Sequence, residues 1–215
     1  MMHSRVAATV AAVVTVLVAL PQGGALARNA PRPLVPGANV VVLQELSFVF
    51  IPDPAKAKVG QTVRWVNAVI AHHTTTGAAP LSLWDSGEML YKERFDFTFT
   101  AAGRYPYLCT LHERYDMVSS VGVRDRADPP SGPVGTIFTI TVATIPAPSD
   151  YIYDVQKWEP GGVWQDWMMG VTSTSVEFDS TGKPTGTYRF RSRLHRISDD
   201  ASSEYSPAVS ITVTP

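Results

Sequence analysis

The chain has 215 residues, 45% of them hydrophobic and 17% charged, with a formal charge of −1 from 18 Lys and Arg against 19 Asp and Glu. That apolar share supports a buried core and excludes a disordered or collagen-like chain. The near balance of charge supplies no basic stripe, and so no reason to expect a nucleic-acid partner. Residues 1–27 read as a secretion signal: His3 and Arg5 open it, and a small aliphatic run from Val6 to Leu20 follows. Pro21 to Gly24 break the run, and Ala25-Leu26-Ala27 forms an A-x-A cleavage site. The run is short for a membrane span, which needs about 20 apolar residues. The expected mature chain therefore begins near Arg28, is extracytoplasmic and carries no membrane span.

Residues 28–37 read as a flexible leader, 38–124 as a first domain, 125–135 as a proline-rich linker and 136–215 as a second domain. The first domain predicts strands over Asn39–Glu45 and Phe48–Ile51, stopped by Pro52 and Pro54. Thr62–Val66 alternates, as do Phe95, Phe97 and Phe99, and then Tyr105, Tyr107 and Cys109. Met117–Val123 closes the unit, and Leu83–Phe95 is the one stretch where a helical turn fits. The second domain predicts six strands: Ile137–Val142, Tyr151–Trp158, Val163–Trp167, Ser173–Phe178, Thr187–Leu194 and Ala208–Val213. The expected fold class is all-β throughout.

Cys109 is the sole cysteine. A secreted chain with one cysteine has no internal disulfide, so the thiol is free, paired with another chain, or bound to something. Three residues after it stands His112, and five after that Met117, a C-x2-H-x4-M pattern. Upstream lies Ala71-His72-His73-Thr74. A thiolate, imidazoles and a thioether suit a soft ion with a one-electron couple. Copper fits best, because Cu(I) prefers sulfur and Cu(II) accepts imidazole. Cys109 would end a strand, His112 would sit on a short loop, and Met117 would begin the returning strand. The fourth donor would come from a neighbouring strand end.

These residues resemble the type 1 blue-copper family, the cupredoxins of the plastocyanin and pseudoazurin kind, over roughly 39–124. The resemblance takes in Phe48-Val49-Phe50, Val59-Gly60-Gln61-Thr62-Val63-Arg64-Trp65-Val66-Asn67, His73-Thr74, Phe97-Thr98-Phe99, Gly103-Arg104-Tyr105 and the Cys109–Met117 loop. It implies a Greek-key β-sandwich that carries electrons through one copper ion cycling between Cu(I) and Cu(II). By the same resemblance His73, Cys109, His112 and Met117 would be the metal ligands. His73 is preferred to His72 because the family places Asn, Ser or Thr directly after the upstream ligand. Thr74 and Asn67 would tie the two ligand segments together by hydrogen bonds. The chain departs from the pattern at Asp116 and Ser119, where the family often has Gly.

Residues 135–215 resemble a fibronectin type III module, through Tyr151-Ile152-Tyr153, Thr187-Tyr188-Arg189-Phe190-Arg191-Ser192-Arg193 and Tyr205-Ser206-Pro207. That resemblance implies a spacing or docking role, with an extracellular protein or carbohydrate as the contact. Trp158, Trp164 and Trp167 read as core or binding surface, and His195 as a solvated strand-end residue.

The resulting expectation is a secreted copper protein, not an enzyme, that serves a redox partner which the sequence does not identify. The chain lacks the paired His-x-His motifs of an oxygen-reducing cluster. The competing readings are a copper-storage protein without a redox partner and a metal-free adhesive protein. Leu111 and Tyr115 read either as an apolar docking rim beside His112 or as loop packing.

Overall fold

The computed structural model describes residues 40–45 and 47–215. The expected signal segment (1–27) and leader (28–37) lie outside them. Everything described is strand, turn or loop apart from one 3-10 turn at Glu113–Tyr115, and no described helix is long and apolar enough to cross a membrane.

The first sandwich comprises β1 (Val40–Glu45), β2 (Val49–Ile51), β3 (Ala55–Lys58), β4 (Thr62–Asn67), β5 (Thr76–Gly77), β6 (Arg94–Thr98), β7 (Gly103–Leu108) and β8 (Val118–Arg124). One sheet runs β2-β1-β4-β6 and the other β3-β8-β7-β5. Period-two patterning drives the packing. On β7 the side chains of Tyr105 and Tyr107 are buried while Arg104, Pro106 and Leu108, which alternate with them, are only partly so. Tyr107 meets Phe50 at 4.6 Å and Trp65 at 5.4 Å, both edge-on. Each such ring contributes roughly 1.5–3 kcal/mol by leaving water.

The second sandwich comprises β9 (Arg126–Asp128), β10 (Ser131–Pro133), β11 (Ile137–Thr141), β12 (Tyr151–Trp158), β13 (Trp164–Val171), β14 (Ser175–Asp179), β15 (Gly186–Arg196), β16 (Ala201–Ser202) and β17 (Val209–Thr214). A three-stranded sheet, β14-β11-β9, accompanies a larger one, β10-β17-β15-β12-β13, with β16 paired to β15. On β15, Tyr188, Phe190, Ser192 and Leu194 turn inward and Arg189, Arg191 and Arg193 alternate with them on the other face. The Tyr188 hydroxyl donates to the Pro184 carbonyl at 2.8 Å, which pins the strand's entry corner.

Several sequence expectations change. The stretch 125–135 is not a free joint: Asp125 is buried, β9 pairs with β11, and β10 pairs with β17. Both short strands lie at sheet edges, where proline is tolerated. Leu83–Phe95 forms no helical turn. Its backbone is claimed by bridges, Thr76 with Asp85 and His73 with Met89. β3 was not expected, because Ala-Lys-Ala-Lys has no strand former; Ala55 and Ala57 are buried and both lysines exposed. His195 is not solvated: its Nδ1 lies 2.9 Å from the buried Asp154 and its Nε2 lies 2.8 Å from Asp200.

The two sandwiches share a seam. Ala102 N–H donates to the Val142 carbonyl at 2.9 Å and Thr144 N–H to the Thr100 carbonyl at 2.8 Å. Arg104 and Glu204 exchange both main-chain bonds, at 2.9 and 3.2 Å. Beneath them the Asp125 carboxylate accepts the hydroxyls of Ser192 and Ser206.

Candidate metal centre

Two segments meet at one end of the first sandwich. Cys109 directly follows β7, and Met117 directly precedes β8. Cys109 N–H donates to the Met117 carbonyl at 2.9 Å, which closes the loop between them. His112 N–H bonds back to the Cys109 carbonyl at 3.0 Å, and the 3-10 turn follows. The turn ends at Asp116, whose φ of 52° and ψ of 36° are left-handed. Glycine takes that conformation freely, and Asp is among the few other residues that tolerate it. Asp116 thus adopts the geometry for which a glycine would serve. Ser119, the other departure, donates its hydroxyl to Asp53 at 2.6 Å.

The upstream segment carries His73. Its main chain exchanges two bonds with Met89, at 3.2 and 2.7 Å, and this fixes which way the side chain points. His73 is fully buried, whereas its neighbour His72 turns outward to the Glu88 carboxylate. Met89 itself is buried packing.

One ring nitrogen each of His73 and His112 and the Cys109 sulfur all lie within 4.8 Å of one another. His73 Nδ1 is 3.7 Å and His112 Nδ1 3.4 Å from Cys109 Sγ. Donors held on one ion by bonds of about 2.3 Å to sulfur and about 2.0 Å to nitrogen stand roughly 3.5–3.7 Å apart at tetrahedral or trigonal angles. The observed spacings match that requirement. His73 Nε2 is buried with no hydrogen-bond partner. Its ring is held neutral: desolvation first, then the neighbouring His112 and His72, push its pKa down to about 4. A neutral imidazole is the form that binds a metal. Desolvation also lowers the pKa of His112, with a further push from Arg114. A thiol with two imidazoles is the donor set of a copper site. Met117 is fully buried beside it, joined to Cys109 through the main chain.

Around this cluster the hydrogen bonds are specific. Thr74 N–H points at Cys109 Sγ from 3.2 Å. The Thr74 hydroxyl oxygen accepts Thr110 N–H at 2.8 Å and lies 3.1 Å from the Thr110 hydroxyl. Thr74 therefore ties the histidine segment to the cysteine segment, as expected. Asn67 does not reach the cysteine loop. Its amide donates to the carbonyls of Ala71 and Met89, at 2.7 and 2.9 Å, so it braces the histidine segment alone. Sequence reasoning missed Gln44, a fully buried β1 residue whose amide donates to the Thr74 carbonyl at 2.9 Å. A glutamine directly after the apolar run Val40–Leu43 was the only signal available. It also missed how Phe48 covers the loop: its ring stacks on Tyr115 at 4.3 Å and lies 4.5 Å from His112. Leu111 and Tyr115 are each 47% exposed, and Val118 is 56% exposed, so this end carries an apolar rim.

The chain is similar to copper proteins over part of its length. Amicyanin from Paracoccus versutus is 32% identical over 78 residues, which are 35% of this chain and 59% of that protein. Among solved structures, a purple cupredoxin from Nitrosopumilus maritimus is 22% identical, with a TM-score of 0.37, over 40% of this chain and 99% of its own. The Cu(I) form of an amicyanin variant is 29% identical, with a TM-score of 0.38, over 42% of this chain and 86% of its own. The chain therefore spans less than two thirds of the curated amicyanin that it matches. No family model matches the chain.

Proposed function

We propose that this chain is an extracytoplasmic type 1 copper protein that carries electrons. The convergence of His73, Cys109 and His112 within 4.8 Å is the observation that carries this reading. When bound, copper would supply a one-electron couple between Cu(I) and Cu(II). In this reading His73 and His112 bind through Nδ1 and Cys109 through Sγ, and Met117 is the weak fourth donor. Burial of Cys109, His73 and Met117 keeps water from three of the four. Thr74 N–H, aimed at the sulfur, stabilises negative charge there and so bears on the potential. A main chain pinned on both ligand segments limits movement between the two oxidation states.

The apolar rim of Leu111, Tyr115 and Val118 supports docking of a redox partner protein at this end. The second sandwich is read as a fibronectin type III-like module. Its strand order and the Tyr188 corner support that reading. Its role would be spacing or docking to an extracellular protein or carbohydrate. Secretion rests on the signal-like segment 1–27.

The test is the visible spectrum of purified protein given Cu(II). An intense orange-red absorption from thiolate-to-copper charge transfer, lost in Cys109→Ser, is expected. A protein that stays colourless overturns the reading. Coloured protein with slow self-exchange and easily lost copper points instead to copper storage.

A further inference from the structure

Ligating histidines ordinarily donate their second ring N–H to a carboxylate or carbonyl, and this fixes the ring. Among the described residues neither histidine does so. There His73 Nε2 has no partner, and the one polar contact of the His112 ring is Nδ1 with Cys109 Sγ. His73 is held by full burial and by its bridge to Met89. His112 is only partly buried, on a loop. No described protein group accepts a bond from its second nitrogen, so packing must orient its ring.

The hairpin tip between β1 and β2 supplies it. Phe48 stands there with a φ of 56°, in the left-handed region that a bulky aromatic residue enters only at a cost. The result of that backbone choice is the placement of its ring. It packs at 4.5 Å on His112, tilted by 44°, and lies parallel to Tyr115, at 4.3 Å and 3°. Arg114 covers the Tyr115 ring in turn, at 4.7 Å. His112 lies 4.8 Å from His73, so its ring is packed by Phe48 as well as by the ligand cluster. Residues far apart in sequence thus clamp one imidazole, and the clamp is apolar.

We infer that Phe48 is the positioning residue for His112: its ring, backed by Tyr115, holds the imidazole in ligating orientation where no described protein acceptor does. This rests on the copper reading for its consequence at the metal, but the clamp itself belongs to the metal-free chain. The left-handed backbone at Phe48 is the strain that this clamp sustains. Phe48→Tyr keeps a stackable ring, Phe48→Leu keeps apolar bulk without one, and Phe48→Ala keeps neither.

Two measurements on the full chain test this. The first is metal-free NMR. Wild type and Phe48→Tyr should show a single ring-current-shifted set of His112 ring signals, with contacts to residue 48. Phe48→Leu and Phe48→Ala should move those signals toward ordinary values and lose the ring order, while signals of His73 stay put. The second is the Cu(II) spectrum and copper hyperfine coupling during imidazole titration. Phe48→Ala and Phe48→Leu should yield to external imidazole at a roughly tenfold lower concentration than wild type, and Phe48→Tyr should not. A structural role alone would lower thermal stability without changing imidazole sensitivity. Unmoved His112 signals in the Leu variant overturn the inference whether or not the Ala variant folds. A wild-type protein that never turns blue overturns the copper reading and leaves the NMR result to judge the clamp.

Discussion

Thr74 holds Cys109 by a main-chain bond: its N–H lies 3.2 Å from the sulfur. Its side chain does a separate job, accepting Thr110 N–H at 2.8 Å just past the cysteine. Thr74→Val separates the two, since it keeps the first bond and removes the second. Loss of one partly buried acceptor is expected to cost about 1–2 kcal/mol in urea unfolding of the metal-free chain. The orange-red band of the copper-loaded variant should shift as the cysteine loop relaxes.

The pH dependence of stability is expected to come from two groups acting in opposite directions. Asp125 is buried with serine hydroxyls and main-chain N–H groups as partners, and desolvation pushes its pKa up to about 6 from 3.8. The folded chain therefore binds this proton more tightly than the unfolded chain. Its contribution favours folding at low pH and is lost as pH rises through the window from about 4 to 6, by an amount on the order of 3 kcal/mol. His73 runs the other way. Its folded pKa of about 4 lies below the ordinary 6.5, so acidification across that interval favours the unfolded chain. The metal-free wild type should show a shallow profile between pH 4 and 6. Asp125→Asn should reveal the His73 slope, with stability falling steadily as acid is added. Equilibrium unfolding at several pH values checks both, and an unchanged profile in Asp125→Asn would refute the assignment.

At the seam, Gly103 leaves no room for a side chain. A Cβ there would stand 2.5 Å from Ser203 Oγ and 2.9 Å from the Tyr105 ring. Gly103→Ala is expected to cost roughly 1–3 kcal/mol through overpacking. Adding Ser203→Gly should return part of that loss, and a double-mutant cycle in denaturant measures it.

On the outer face of the second sandwich, Arg191 lies over Trp164 at 4.2 Å and over Tyr205 at 4.9 Å. Its Nε also donates to Gln156 at 2.9 Å. Arg189 covers Trp158 and Arg193 covers the other side of the same face at Tyr205. Arg191→Lys keeps the charge and loses the planar stack, at an expected cost of about 0.5–1 kcal/mol. Tryptophan emission should move toward that of exposed indole. Wild-type emission and stability in the variant would show that the stack contributes nothing.

Much of this arrangement was legible before any coordinates. Alternation marked β4, β7 and β15 to within a residue or two, because buried positions alternate along each with more open ones. The preference for His73, the one buried next to Cys109, over His72 rested on the threonine beside it. Its physical cause is that Thr74 places both an N–H and a hydroxyl against the cysteine segment. Other features depended on tertiary contacts that local composition does not carry. Ala55–Lys58 is a strand because β8 offers it an edge. Residues 126–128 and 131–133 are strands because β11 and β17 offer them edges, the second despite its glycine and proline. Gln44 and Phe48 became functional candidates only when folding brought β1 and its hairpin over the histidine and cysteine loops. Asp125 looked like the start of a linker until its carboxylate proved to be covered by Ser192 and Ser206.

The seam has a consequence for rotational diffusion. Main-chain bonds run across it at Ala102–Val142, at Thr100–Thr144 and twice at Arg104–Glu204. Relaxation of backbone amides in both sandwiches should therefore report one shared correlation time, as for a single particle rather than two beads on a string. An anchor gripping the second sandwich would then hold the histidine and cysteine loops at a set distance from its attachment point, instead of letting them sweep the volume that a loose tether allows.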